Sequence, residues 1–112
     1  MQLPQEGSLL RIFIGEADKH EGKPLYEWIV LKAREYELAG ATVLRGMMGF
    51  GANTRKIQTF RFDTLSEDMP IIVEIVDVQD KLEKFLEAIE PHIVAGLVTT
   101  EKAQVKFYRF EP

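Results

Sequence analysis

Apolar residues in the first third of the chain recur first in a strand-like run and then at helical spacing. The stretch Ser8–Glu16 is rich in β-forming side chains, which predicts a first strand. A helix is predicted to begin at Pro24, where a missing N–H is harmless, and to end at Gly40. Four residues share its core-facing side at spacings of four, four and three: Leu25, Ile29, Ala33 and Tyr36.

The middle of the chain has the pattern of strands. Residues 41–48 predict a second strand, and residues 56–62 predict a further short extended piece with Phe60 and Phe62 on one side. The nearly continuous apolar run 70–78 is typical of a strand at a central position, covered on both faces.

A second helix and a last strand complete the pattern. Asp77 and Asp80 are candidates for the helix N-cap, and Pro91 is predicted to end or kink the helix. Residues 92–102 are predicted to be a connection and residues 103–110 the last strand. The apolar stripe of this helix consists of Leu82, Phe85, Leu86 and Ile89.

The order β-α-β-β-α-β predicts a single ferredoxin-like α+β domain over residues 1–112, with both helices on one face of an antiparallel sheet. An excursion from about Gly49 to Met69 is far longer than a hairpin loop, and such segments are commonly functional. Because apolar residues are predicted on both sheet faces, we expect the bare face to pack against another subunit.

Composition narrows the function classes. The chain has 112 residues and no cysteine, which excludes disulfides, thiolate metal sites and cysteine nucleophiles. No apolar run approaches the roughly 20 residues that span a bilayer, and the N-terminus lacks a signal pattern, so we expect a cytoplasmic protein. The net charge of −4 argues against nonspecific binding to nucleic acid or membranes.

The sequence does not predict an enzyme. His20 and His92 are the two histidines, and no serine lies in the context of a nucleophile. His20 has Asp18 and Glu21 nearby, which could suggest a metal, but such a polar loop is usually solvated. His92, at a helix end, could either cap carbonyl groups or contact a ligand phosphate.

An RNA-binding domain shares the predicted order of elements and must be considered. The stretch RIFIGEA resembles the shorter RNA-recognition motif, but GFG is followed by ANTRKIQTF, which does not place stacking aromatic residues at strand spacing. With the acidic net charge, this pattern predicts no nucleic-acid partner.

The glycine-rich stretch RGMMGFGANTRK leaves two interpretations open. Gly46, Gly49 and Gly51 could bring the backbone close to a ligand, with Arg45 and the later basic residues near its phosphates. Alternatively the glycines form a bulge and the basic residues are a solvated face. Spacing alone favours the bulge.

The sequence also resembles a known protein family, which bears on these two interpretations. The series GKPLYE, GATVLRG, GFG, MPIIVEIVD and AGLVT resembles the DUF190 (UPF0166) family along essentially the whole chain. The stretches GATVLRGMMGFG and PIIVEIVDVQDKLEKFLEAI are also similar to the PII signalling proteins, with one residue more before GFG than PII usually has.

The PII resemblance implies a homotrimer that binds an adenine nucleotide (AMP, ADP or ATP) in each cleft between subunits and needs no other cofactor. It implies that the excursion is the mobile signalling loop, and that a protein partner exists, of which a membrane transporter or channel is one type. Lys102 would be the phosphate-binding lysine of the connection after the second helix. The implied nucleotide-binding residues are Thr42, Gly49, Phe50, Gly51, Glu74, Gly96, Leu97, Val98 and Lys102.

Departures from PII change what is expected of the effector. Ala52 and Asn53 stand where PII has arginine and glutamine, which argues against 2-oxoglutarate sensing. The excursion has no tyrosine to uridylylate, the phosphate turn keeps one glycine, and the C-terminal arginine loop is missing unless Arg109 substitutes for it. These losses favour AMP or ADP over Mg-ATP. The alternatives are a ligand-free adaptor trimer and a cation-binding trimer of the copper-tolerance type.

Overall fold

The computed structural model describes residues 6–52, 57–59 and 68–111. Its four long strands form one antiparallel sheet, and two short two-stranded ladders flank it. In chain order the elements are β1 (Glu6–Gly15), β2 (Lys19–His20), β3 (Lys23–Pro24), α1 (Leu25–Glu35), β4 (Thr42–Arg45), β5 (Met48–Gly49), β6 (Gln58–Thr59), β7 (Pro70–Asp77), α2 (Gln79–Ile89), a 3₁₀ turn (Glu90–His92) and β8 (Leu97–Gln104).

The order of strands in the sheet is β4-β7-β1-β8. The predicted ferredoxin-like arrangement is therefore confirmed, and β7 occupies the central position that its apolar run predicts. Register is continuous: Gly15 pairs with Pro70 and Phe13 with Leu97, so the end of β1 meets the starts of β7 and β8. This end of the sheet is also where the chain leaves for, and returns from, the excursion.

Both helices pack on the same sheet face and form one core with it. Alternate residues of β1 and β7 are buried there against the predicted apolar stripes of the two helices. The prediction of Tyr36 in the first stripe is wrong, because Tyr36 follows α1 and is 39% exposed. Phe85 of α2 is fully buried, and burying such a side chain contributes roughly 1.5–3 kcal/mol. The buried helix residues are Leu25, Ile29 and Ala33 of α1 and Leu82, Phe85 and Ile89 of α2.

The predicted end of the first helix at Gly40 is wrong, because α1 ends at Glu35. Glu37 instead adopts the left-handed conformation at φ 57°, and the Leu38 N–H donates to the Ala33 carbonyl at 3.1 Å. Leu38 packs against the core. Lys81 Nζ also donates to the Glu37 carbonyl at 2.8 Å. These tertiary contacts hold a non-glycine residue in a conformation that local sequence assigns to glycine.

The predicted N-cap of the second helix is also wrong. The residue before α2 is Val78, and no side chain caps the helix. Asp77 belongs to β7, where strand alternation turns its side chain into the protein until it is fully buried. Its carboxylate accepts hydrogen bonds from the Ala39 N–H at 2.9 Å and the Val78 N–H at 2.6 Å. Asp77 therefore joins the α1–β4 loop to the sheet.

The last strand lies earlier in the chain than predicted. β8 is Leu97–Gln104, so Leu97, Val98 and Lys102 are strand residues and not parts of a connection. The partner strand decides this position, because β1 pairs with β8 from Glu6 to Phe13. The apolar residues after β8 form no strand; the Tyr108 hydroxyl donates to the Ala39 carbonyl at 2.7 Å.

The sheet face away from the helices is partly exposed. Cross-strand pairing places Leu9, Phe13, Leu44, Ile72, Val76 and Leu97 on it. Arg11 interrupts this apolar surface and pairs with Glu74 at 2.9 Å and with Glu101 at 2.7 Å. The expectation that another subunit covers this face stays a prediction.

We call residues 45–52, where the chain leaves for the excursion, the outgoing stem, and residues 68–70, where it returns, the returning stem. β5 pairs with β6 through Met48–Thr59 and Gly49–Gln58, which confirms an extended piece at these two residues. The predicted alignment of Phe60 and Phe62, and the basic residues Arg55 and Lys56, lie outside the described residues. Within the described ranges, no helix is long and apolar enough to cross a bilayer.

Candidate functional site

A cavity of about 450 Å³ lies at the sheet end where the excursion leaves the domain. This volume falls within the range of small-molecule sites, roughly 300–1,000 Å³. Its walls come from the end of β1, both stems of the excursion, the start of β7 and the connection before β8. The lining residues are 13–15, 49–52, 58, 68–72 and 95–97.

Close packing explains two glycines of the wall. A Cβ added at Gly49 would lie 3.1 Å from Pro70 Cγ, and one added at Gly96 would lie 2.8 Å from the carbonyl oxygen of Phe13. Because the second distance is shorter than real Cβ contacts allow, the connection before β8 can approach β1 this closely only with glycine at position 96. A Cβ at Gly51 would meet nothing within 4 Å.

The turn after β1 holds both stems of the excursion. Glu16 pairs with Arg45 of the outgoing stem, with Arg45 Nε 3.0 Å from Glu16 Oε2. The Glu16 N–H donates to the carbonyl of Met69 at 2.8 Å, and the Ala17 N–H donates to Asp68 Oδ1 at 3.0 Å. The outgoing stem and the returning stem thus share one anchor beside the cavity.

The structure brings five of the predicted site residues together. Gly49, Phe50 and Gly51 from the outgoing stem and Gly96 and Leu97 from the far connection all line the cavity. The stem group and the connection group are more than forty positions apart in sequence. Their meeting therefore depends on the pairing of β1 with both β7 and β8. Ala52, which stands where PII has arginine, also lines the cavity.

The remaining predicted residues lie elsewhere. Lys102 pairs with Ser8, at the opposite end of β8 from Leu97, about 17 Å away at the usual rise per residue. Val98 pairs with Ile12 and is not among the lining residues. The PII resemblance implied that Lys102 lies in the connection after the second helix, and this placement is wrong, because Lys102 belongs to β8.

Thr42 and Glu74 are a cross-strand pair on the bare face of the sheet. Glu74 Oε2 accepts from Arg11 Nε at 2.9 Å, and Arg11 Nη1 donates to Glu101 at 2.7 Å. The hydrogen bond to Glu74 raises the pKa of Arg11, whose guanidinium is charged at any working pH even without this shift. Sequence reasoning missed this role of Arg11, because Arg11 acquires its two acidic partners only through strand register.

The two histidines form a ring cluster with Trp28. The ring centroid of His20 lies 4.3 Å from that of Trp28 and 4.6 Å from that of His92. The prediction of a solvated His20 is wrong, because its side chain is only 15% exposed. Within residues 6–52, 57–59 and 68–111, no three His, Asp or Glu side chains are grouped to hold a metal ion.

Arg109 occupies the segment after β8. Its guanidinium carbon lies 4.3 Å above the ring of Phe107, as expected for a cation–π contact.

Several lining residues of the cavity were also missed by sequence reasoning, notably Phe13, Asp68 and Pro70. Phe13 pairs with Ile72 and lies close to the start of β7, so its place in the wall depends on the pairing of β1 with β7, which the local sequence does not display.

Comparisons with known proteins agree on the family. The DUF190 family model, described as Uncharacterized ACR, matches residues 7–105. A UPF0166 protein of Aquifex aeolicus (strain VF5) is 40% identical over 97 residues, which are 87% of this chain and 90% of that protein. A UPF0166 protein of Methanocaldococcus jannaschii is 32% identical over 81 residues, 72% of this chain and 73% of that one.

Solved structures agree on the fold. CPII, a nitrogen regulatory PII-like protein from Thiomonas intermedia K12 bound to ADP, AMP and bicarbonate, superposes with a TM-score of 0.66 at 18% identity, covering 91% of this chain and 93% of that one. CPII bound to ADP and bicarbonate gives a TM-score of 0.65 at 18% identity, covering 91% and 94%. The chain has the PII-like fold and belongs to the DUF190 (UPF0166) family.

Proposed function

We propose that this protein is a non-enzymatic regulator that binds an adenine nucleotide in clefts between the subunits of a homotrimer. One observation carries the proposal. The stem residues Gly49–Gly51 and the connection residues Gly96–Leu97 meet in a single cavity, in a fold shared with CPII structures that hold ADP and AMP. AMP or ADP is the proposed effector, because the sequence keeps only one glycine of the PII phosphate turn and has Ala52 and Asn53 where PII has arginine and glutamine.

The bare sheet face supports assembly. An apolar sheet face that no element covers is typical of an interface between subunits. On this face Leu9 pairs with Val76, and Phe13 pairs with both Ile72 and Leu97. Phe13, Ile72 and Leu97 also line the cavity, so a neighbouring subunit on the face would border the ligand. In that assembly Thr42 and Glu74 would lie at the cleft.

A ligand in the cavity would act on the excursion through its stems. Asp68 and Gly49–Ala52 are wall residues, and the stems that carry them are anchored to the turn at Glu16 and Ala17. A ligand that contacts these walls favours the stem arrangement that fits it best, which is a population shift. A protein partner that binds the excursion, such as a membrane transporter or channel, would sense this shift.

Calorimetry with AMP, ADP and ATP on the purified full chain, with and without Mg²⁺, tests the proposal. We expect binding with an affinity of AMP or ADP at least equal to that of Mg-ATP. Light scattering on the same sample measures the assembly. A protein that binds no adenine nucleotide at millimolar concentration, or that is a monomer, contradicts the proposed site.

A ligand-free adaptor trimer is the second candidate, favoured by the apolar face alone, which needs no ligand to associate. The same two measurements separate the candidates, because an adaptor would scatter as a trimer and show no heat with any nucleotide. Titration with Cu²⁺ in the same calorimeter tests the cation-binding alternative.

A further inference from the structure

We infer that Glu16 is the positioning residue that links ligand binding in the cavity to the excursion, through its ion pair with Arg45. This inference rests on the proposed function and names the contact that transmits it. Neither Glu16 nor Arg45 lines the cavity. Both residues therefore act on the ligand through the position of the outgoing stem, and not by touching the ligand.

The turn after β1 is a fixed base for this ion pair. The Gly15 N–H donates to Asp18 Oδ2 at 3.0 Å, and the Asp18 N–H donates to the Gly15 carbonyl at 3.2 Å. The Leu25 N–H donates to the Asp18 carbonyl at 2.8 Å, and Leu25 is a buried residue of α1. Hydrogen bonds within the turn and to the first helix thus hold Glu16 in one place beside the sheet.

The returning stem contacts this base through its backbone. The Glu16 N–H donates to the Met69 carbonyl at 2.8 Å, and the Met69 N–H donates to Glu16 Oε1 at a longer 3.4 Å. Met69 itself is fully buried. Because the shorter bond does not involve the carboxylate, we expect the returning stem to keep its position when the charge of Glu16 is removed.

The outgoing stem contacts the base through a side chain. Arg45 Nε lies 3.0 Å from Glu16 Oε2 and 3.2 Å from Oε1, and Arg45 Nη2 donates to Oε1 at 3.1 Å. Contacts between one guanidinium and both carboxylate oxygens fix the orientation of the arginine as well as its distance. The side chains are 40% exposed for Arg45 and 27% exposed for Glu16, so the pair is partly shielded from solvent.

The position of the outgoing stem determines one wall of the cavity. Gly49–Ala52 follow Arg45 closely in the chain and line the cavity together with Asp68–Pro70 of the returning stem. The stems also contact each other, because the Gly46 N–H donates to the Pro70 carbonyl at 2.7 Å. A ligand that touches both stems favours the arrangement in which they are close, and the ion pair favours the same arrangement. Ligand binding and ion pairing then strengthen each other, because coupling between two sites is reciprocal.

Calorimetry with ADP on the full chain tests this link by a double-mutant cycle. We expect Glu16→Gln and Arg45→Gln each to weaken ADP binding about threefold, the size of effect that a partly exposed ion pair has. The double variant should lose no more than the larger single loss, because both substitutions remove the same interaction. Glu35→Gln is the matched control, since it breaks the Lys32–Glu35 pair of α1 (3.2 Å), away from the stems, and should leave ADP affinity unchanged.

Amide hydrogen exchange, measured by NMR at saturating ADP, reports the position of the stem. In wild type the Gly46 N–H should exchange at least about fivefold more slowly with ADP than without it, because its bond joins the two stems. In Glu16→Gln this protection by ADP should be lost. The N–H of residue 16, which bonds to the Met69 carbonyl, should exchange at the same rate in both proteins.

Three results overturn the inference and keep the proposed function. One is weaker ADP binding by Arg45→Gln with unchanged binding by Glu16→Gln, because Arg45 would then contact the ligand itself. The others are losses that add in the double variant, and equal protection of the Gly46 N–H by ADP in Glu16→Gln and wild type. Wild type that binds no adenine nucleotide rejects the proposed function, and the inference with it.

Discussion

The two faces of the central sheet come from the same strands and have different surroundings. Along β1, Leu10 and Ile12 are fully buried under the helices, whereas Arg11, between them, has a side chain that is 37% exposed on the other face. The covered face is sealed by packing within one chain. The bare face has the apolar residues of an interface, with one ion-pair network in the middle.

This difference teaches that the two faces contribute to different properties. Residues on the covered face determine whether the chain folds. Residues on the bare face are the ones that we propose to act in assembly and, through Phe13 and Ile72, in the proposed ligand site. Substitutions on each face, compared with matched controls, can break or sharpen this division of roles.

The largest expected effect is on assembly. Val76 lies on the bare face opposite Leu9 and does not line the cavity. Val76→Glu would place a carboxylate from every subunit in the interface, and desolvating it costs several kcal/mol per charge. We expect light scattering to give the mass of a single 12.8 kDa chain. Leu31→Glu, on the exposed side of α1, should leave the mass of the assembly unchanged.

Truncation of a buried side chain in the covered core has the next largest expected effect, which is on stability. Phe85→Ala removes a fully buried ring, and such truncations destabilise by about 3–5 kcal/mol. Urea unfolding at fixed protein concentration measures it. Phe107→Ala, whose ring is 68% exposed, is the control and should change the free energy of unfolding by less than about 1 kcal/mol. Equal losses in the two variants would contradict the assigned core.

Removal of the buried carboxylate of Asp77 has the third largest expected effect, again on stability. Asp77→Ala leaves the Ala39 and Val78 N–H groups without their acceptor, which should cost about 1–3 kcal/mol. Asp80→Ala removes an exposed acid from the first turn of α2 and should cost less than about 1 kcal/mol. A larger loss for Asp80 in thermal unfolding would restore the N-cap that the sequence predicts.

Gly96 tests the close approach that shapes the cavity. Gly96→Ala puts a Cβ 2.8 Å from the Phe13 carbonyl, and overpacking of this kind costs about 1–3 kcal/mol. Gly51→Ala meets nothing within 4 Å and should be neutral or stabilising by about 0.4–1 kcal/mol. If both variants unfold at the same urea concentration, the connection before β8 does not approach β1 as described.

The smallest expected effect tests whether a neighbouring subunit covers the bare face. Glu101 is 59% exposed in the single chain, so breaking its pair with Arg11 by Glu101→Gln should cost only about 0.2–1 kcal/mol. Burial of the network in an interface would raise the loss to about 3–5 kcal/mol, because Arg11 would lose a buried partner. The comparison of the variant at low and high protein concentration distinguishes the two cases.

Much of the fold could be predicted from local pattern. The helical stripes through Ile29 and Phe85 and the strand through Ile75 were placed correctly, because one-sided burial imposes a period that local spacing displays. The errors lie where a distant partner decides. β8 begins at Leu97 because its pairing with β1 ends at Phe13. Asp77 is buried in β7, where its carboxylate accepts a hydrogen bond from the α1–β4 loop.

The candidate site likewise has features that the local sequence predicts and features that depend on distant strands. The sequence by itself determined the family, the order of elements, and the stem glycines that border the cavity, since these depend on residues close together in the chain. Only the tertiary structure decided that Gly51 and Leu97 share one cavity, that Lys102 lies at the far end of β8, and that Arg11 joins Glu74 to Glu101. Strand register sets these neighbours, and register is a property of whole strands pairing across the sheet. The stretch RGMMGFG marks the outgoing stem in the sequence. The other walls of the cavity beside it include Phe13, Asp68 and Ile72, which only the fold brings there.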